Sequence, residues 1–93
     1  MYTLLQTGQF KKDLKNVLKR NRVDFDITFE VLEILKTKGV KGLPVKMKAH
    51  KLSVNFNKNW ECHIKPDLLI IWIQFESPKT IKLIRLGSHS DLF

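Results

Sequence analysis

At 93 residues the chain is long enough for one domain, spanning 1–93, and too short for two, and 43% hydrophobic residues with nine aromatics give it a core to bury. Its single cysteine excludes an internal disulfide, its longest apolar run (Leu68 to Ile73) is far short of the roughly 20 residues a membrane span needs, and Met1 to Gln6 does not resemble an export signal; a reducing cytoplasm is expected. A net charge of +8 excludes nothing about fold but favours polyanionic partners.

Tyr2 to Gln6 is short, apolar and closed by Thr7-Gly8, which predicts an N-terminal strand. Phe10, Leu14, Val17 and Leu18 then recur at the spacing of one helical face, with lysines between them. Asn21 to Asp26 interrupts that pattern, and Asp24 or Asp26 is the expected cap of a second helix carrying Ile27, Val31, Ile34 and Leu35 up to Gly39. Gly39 to Lys51 is basic and aperiodic, as in a long functional loop. A short strand is expected near Leu52 to Phe56, then a turn through Asn55, Asn57, Lys58 and Asn59.

Asn59 to Lys65 alternates, with Trp60, Cys62 and Ile64 on a buried face and Glu61, His63 and Lys65 on a wet one. Pro66-Asp67 turns the chain, Leu68 to Phe75 is apolar enough for a central strand, Ser77-Pro78 turns it again, and Thr80 to Leu86 is the last strand. The class is therefore α+β in the order β-α-α-β-β-β, with two antiparallel helices on a small antiparallel sheet.

Short connections make successive strands antiparallel, so every second turn lies at the same end of the sheet. His50, His63, Asp67, Arg85 and His89 are thereby expected at one end, with strands about 4.8 Å apart bringing them within reach of a single nucleotide. RNA cleavage needs a base for the 2'-hydroxyl, an acid for the leaving 5'-oxygen and positive charge at the phosphorane. Imidazoles and an arginine supply these, while Asp67 suits either a base or an orienting carboxylate. Each residue by itself also reads as ordinary surface, and their shared location carries the argument. A zinc site from the three histidines is the competing idea, without His-x-His, Cys-x-x-Cys or His-Glu-x-x-His spacing to support it.

Residues 1 to 53 hold twelve basic and five acidic side chains, against five and four in the remainder. Lys46, Lys48 and Lys51 in the loop, with Lys11 and Lys15 on the first helix, are the candidate phosphate contacts. Cys62 is expected in the core, out of reach of His63, and Gly8, Gly39, Gly42 and Gly87 form no phosphate-binding loop, so no cofactor is implied.

Three stretches resemble the YafQ branch of the RelE/ParE toxin superfamily: Ala49-His50-Lys51-Leu52, His63-Ile64-Lys65-Pro66-Asp67-Leu68-Leu69-Ile70-Ile71-Trp72, and Arg85-Leu86-Gly87-Ser88-His89-Ser90-Asp91-Leu92-Phe93. Gly8-Gln9-Phe10-Lys11-Lys12-Asp13 is similar to the start of that family's first helix. The resemblance implies a compact α+β toxin of a type II toxin-antitoxin pair, an endoribonuclease that cuts messenger RNA, on the ribosome in many members, and a neutralising antitoxin; the +8 charge makes an acidic antitoxin the expected partner, and the histidines, Asp67 and Arg85 are expected to act by metal-independent acid–base catalysis. The resemblance also implies proton transfer at His50, His63, Asp67 and His89, phosphate contact at Arg85 and base stacking at Phe93. Leu68 stands where relatives often carry Trp, and Trp72 where many carry Tyr, which predicts a weaker base contact and a lost hydroxyl. The competing classes are a non-catalytic RNA- or partner-binding module, which would survive loss of its histidines, and a gyrase-directed toxin of the ParE type.

Overall fold

The computed structural model describes residues 1–52 and 59–93. The elements are β1 (Thr3–Gln6), α1 (Gly8–Arg20), α2 (Arg22–Lys38), β2 (His50–Lys51), β3 (Trp60–Lys65), β4 (Leu68–Glu76), β5 (Lys79–Gly87) and α3 (His89–Leu92). The strand expected at Leu52 to Phe56 and the turn after it fall largely outside the described residues. Of them, Leu52 follows β2 and donates its N–H to the Asn59 carbonyl.

Local chemistry sets the helix ends. Thr7 caps α1 by accepting from the Phe10 N–H at 3.1 Å. One residue, Asn21, separates the helices: its N–H closes α1 on the Val17 carbonyl, and its Oδ1 caps α2 from the N–H groups of Val23 and Asp24. The cap is thus Asn21 and not Asp24 or Asp26. Asp24 instead lies in the first helical turn, where a negative charge favours the helix dipole, and takes a 2.8 Å ion pair from Lys65 of β3.

The sheet has the order β1-β5-β4-β3-β2. β2 to β5 are antiparallel, as short turns require, but β1 adds to the outer edge of β5 in parallel, so the sheet is mixed. The intervening helices make that parallel return possible by carrying the chain back across the sheet. The main core lies between sheet and helices: Phe10, Val17, Val31, Leu32 and Leu35 meet Cys62, Ile64, Leu68, Ile70, Trp72, Ile81, Leu83 and Leu86. In α2 the buried stripe runs through Thr28, Val31, Leu32 and Leu35, whereas Ile27 and Ile34 flank it.

A second cluster, Leu69, Ile71 and Leu92 with Leu52 and Ile84 against it, covers part of the opposite sheet face. Here the C-terminal residues, polar in composition, form the short helix α3. Ser88 accepts from the Asp91 N–H, Asp91 accepts from the Ser88 N–H, and Leu92 inserts into the apolar cluster. The long loop after α2 is likewise structured, as two 3-10 turns (Gly39–Gly42 and Val45–Met47) leading into β2. No helix among the described residues is long and apolar enough to cross a membrane.

Candidate active site

The sheet face away from α1 and α2 carries the histidines. His50 of β2 pairs with Glu61 of β3, and the register continues from Glu61 to Ile71 of β4 and Arg85 of β5. Lys48, in the left-handed region at φ 54°, turns the chain from the second 3-10 turn into β2 and offers its carbonyl to His50 Nδ1 at 2.8 Å. A carbonyl only accepts, so that ring nitrogen carries a hydrogen. His50 Nε2 lies 3.3 Å from Glu61 Oε1, and His63 Nε2 lies 3.8 Å from the same oxygen. Glu61 therefore stands between two imidazoles with its side chain only 6% exposed. Alternation predicts a wet face for it; the histidines on either side cover it.

From His63 the arrangement continues across the sheet end. Its ring stands edge-on to that of His89, with centroids 5.5 Å apart. Asp67, in the β3–β4 turn, accepts from both the backbone N–H of His89 at 3.0 Å and His89 Nδ1 at 2.9 Å. These two bonds, the backbone one foremost, hold the Asp67 carboxyl below the usual carboxylate range. The ring bond also places a hydrogen on His89 Nδ1, so Nε2 carries the lone pair of the neutral ring. Asp67 is placed to orient His89. His50, Glu61, His63, His89 and Asp67 are thus contiguous, although 39 positions separate His50 from His89.

Arg85 is at the same level of the sheet but turned toward α1. A β-bulge breaks the register between β4 and β5, where Ile71 faces Arg85 and Trp72 faces Leu83. Arg85 Nε then donates to Asp13 Oδ2 at 2.8 Å and Nη2 to Oδ1 at 3.4 Å, which raises the guanidinium pKa. The structure consequently joins the histidines and Asp67 by direct contacts and ties Arg85 to a helix carboxylate instead. Motif and spacing give Asp13 no role. The signal that could have found it is its position three residues after Phe10 and four before Val17, on the buried stripe of α1.

Beside His63, a groove of about 470 Å³ is lined by Lys46, Met47, Lys48, His63, Ile64, Lys65 and Pro66. Lys51 instead lies over the Trp60 ring, 5.5 Å from its centroid, and Lys11 and Lys15 are exposed on α1, outside that groove. Phe93 ends the chain with its N–H on the His89 carbonyl and its side chain exposed. Cys62 points into the core on the other face, and burial pushes its thiol up to about 12, which removes it as a nucleophile at neutral pH. No three His, Cys, Asp or Glu side chains among the described residues are grouped so as to hold a metal ion.

The family model for the bacterial toxin of type II toxin-antitoxin systems, YafQ, matches residues 2–93. The chain belongs to the YafQ toxin family. The backbone of YafQ from Escherichia coli BL21(DE3) superposes with a TM-score of 0.88 at 26% identity, covering 100% of this chain and 99% of that one. A metal-bound toxin from Helicobacter pylori is 38% identical with a TM-score of 0.86 over 100% of both chains. YafQ in the Escherichia coli DinJ–YafQ complex is 27% identical with a TM-score of 0.87, covering 100% and 99%. No curated protein sequence matches the chain.

The two positions expected to depart from the family pattern lie away from the histidines. Leu68 packs in the main core at 5% exposure, and Trp72 is fully buried there, stacked on Trp60 and donating its Nε1 hydrogen to Gln74 at 3.4 Å. Both face the helices, so the expected loss of a base contact or hydroxyl does not fall on the sheet face that holds the imidazoles.

Proposed function

We propose that this toxin is an endoribonuclease that cleaves messenger RNA on the ribosome by acid–base chemistry among its side chains, and so inhibits translation. The observation that carries this reading is the meeting of two imidazoles, His63 with its Nε2 3.8 Å from Glu61 and His89 hydrogen-bonded to Asp67, at a ring separation of 5.5 Å. A nucleotide seated over them has its 2'-oxygen attack the adjacent phosphorus while one imidazole takes the proton. The bond to the 5'-oxygen then breaks, and the leaving oxygen receives a proton from the other imidazole, giving a 2',3'-cyclic phosphate and a free 5'-hydroxyl. His50 shares the Glu61 oxygen and completes the proton path, and Arg85 offsets the charge of the phosphorane. Lys46, Lys48 and Lys65 beside the cleft hold the phosphate backbone, with Lys51, Lys11 and Lys15 extending the positive field and Phe93 stacking on a base.

The likeness to a toxin solved with DinJ and the charge of +8 support an acidic antitoxin as the cognate partner. The test is inducible expression of wild type and of His63→Ala, Arg85→Ala and His89→Ala, with transcript 5' ends mapped with and without translation. Growth arrest with new cuts that disappear in the folded variants is the expected result, and dependence on translation assigns the reaction to the ribosome. A wild type that binds RNA but generates no cuts under either condition sinks the assignment.

A further inference from the structure

Asp13 of α1 is 5% exposed and accepts four hydrogen bonds. Gln9 Nε2 reaches Oδ1 at 3.0 Å, the Leu86 N–H reaches Oδ2 at 2.9 Å, and Arg85 supplies the other two from Nε and Nη2. A carboxylate so fully engaged has no rotational freedom, and one of its bonds goes to the backbone of the residue next to Arg85 itself. The β4–β5 bulge falls immediately before these two residues, where Ile71 faces Arg85 and Trp72 faces Leu83, and the Leu86 bond uses the backbone N–H at the edge of β5.

Of the five guanidinium N–H donors, Asp13 takes two, one from Nε and one from Nη2. The remaining three include both hydrogens of Nη1 and the outer hydrogen of Nη2, which together form the planar fork that suits two phosphate oxygens. We infer that Asp13 is a positioning residue for the cleavage reaction, holding Arg85 by its Nε side so that its terminal fork is presented, preorganised, to the phosphate.

This rests on the ribonuclease reading above, with Arg85 at the phosphorane. An arginine free on a strand end must give up rotamer freedom as charge develops, whereas one held by a buried carboxylate has already done so. Asp13 touches neither substrate nor reacting atoms and acts through Arg85. Arg20, also on α1, makes a separate 3.1 Å pair with Asp91 of α3, so the two tethers can be altered independently.

The test is single-turnover cleavage of messenger RNA on purified programmed ribosomes by wild type, Asp13→Asn, Asp13→Ala, Arg85→Ala and the Asp13→Ala/Arg85→Ala double variant. Binding of a 2'-deoxy RNA analogue and thermal melting are measured alongside. Asp13→Asn keeps the shape and one acceptor and guards against simple misfolding. Expected are a rate about tenfold to a hundredfold lower in the Asp13 single variants, analogue affinity changed less than about threefold, and a double variant no slower than Arg85→Ala. A double variant slowed further by the full Asp13 factor shows that Asp13 acts independently of Arg85 and overturns the inference alone. Arg85→Ala cleaving as fast as wild type overturns the phosphate role of Arg85, and the inference with it.

Discussion

Glu61 shows how much a single side chain depends on its neighbours. Its place beside His63 on one strand face follows from alternation, but its burial follows from His50, eleven residues earlier and delivered by β2. One oxygen facing two imidazole nitrogens at 3.3 and 3.8 Å couples them, so a change there acts on both. Glu61→Gln keeps the volume but removes the charge. The expected outcome is a loss of about a hundredfold in single-turnover RNA cleavage, the scale of one acid–base contribution, with the circular dichroism spectrum retained. Cleavage at the wild-type rate would remove Glu61 from the proton path.

At the scale of an element, α3 has four residues and no stability of its own. It is held by the Ser88–Asp91 capping box, by Leu92 in the second apolar cluster, by Arg20 on Asp91 and by Asp67 on the His89 N–H. Ser88→Ala is therefore expected to lower the local stability of α3 by about 1 kcal/mol, read as faster amide exchange at Asp91 and Leu92. The same element is pH-sensitive in a definite direction. Asp67 is held low chiefly by the His89 backbone N–H and Asp91 chiefly by that of Ser88, so both ionise more readily folded than unfolded. Their stabilisation is complete above the ordinary aspartate value of about 3.9 and is lost as pH falls through the lower folded values. Amide-exchange protection at Leu92, corrected for the intrinsic pH dependence of exchange, should therefore be lost only as pH falls below about 4. Protection unchanged through that range would show that neither carboxylate governs the docking.

For the whole molecule, the lysines lie around the site and not within it. Lys46, Lys48 and Lys65 rim the groove beside His63, while the imidazoles face Glu61 and Asp67. Binding and chemistry should therefore separate on mutation. In Lys46→Ala/Lys48→Ala, RNA affinity is expected to fall and its salt dependence to flatten, by about 0.7 in the log–log slope for each phosphate of a single strand that is no longer neutralised. The single-turnover rate at saturating RNA should stay within about threefold of wild type. Measuring dissociation constants across a salt series checks this, and an unchanged slope would show that these lysines do not touch phosphate.

Much of the fold was legible because it depends on neighbours along the chain. Periodicity marks α1 and α2, alternation and turn residues mark β3 to β5, and short connections fix their antiparallel order and bring His63, Asp67 and His89 to one end. Spacing misplaces the helix junction because Asn21 ends one helix and caps the next, a dual use that periodicity does not reveal. Only the tertiary structure paired β1 in parallel with β5, folded the C-terminal residues into α3 and turned Arg85 through a bulge onto Asp13. These features arise between segments far apart in sequence, where burial and buried hydrogen bonds, not local preference, select the arrangement.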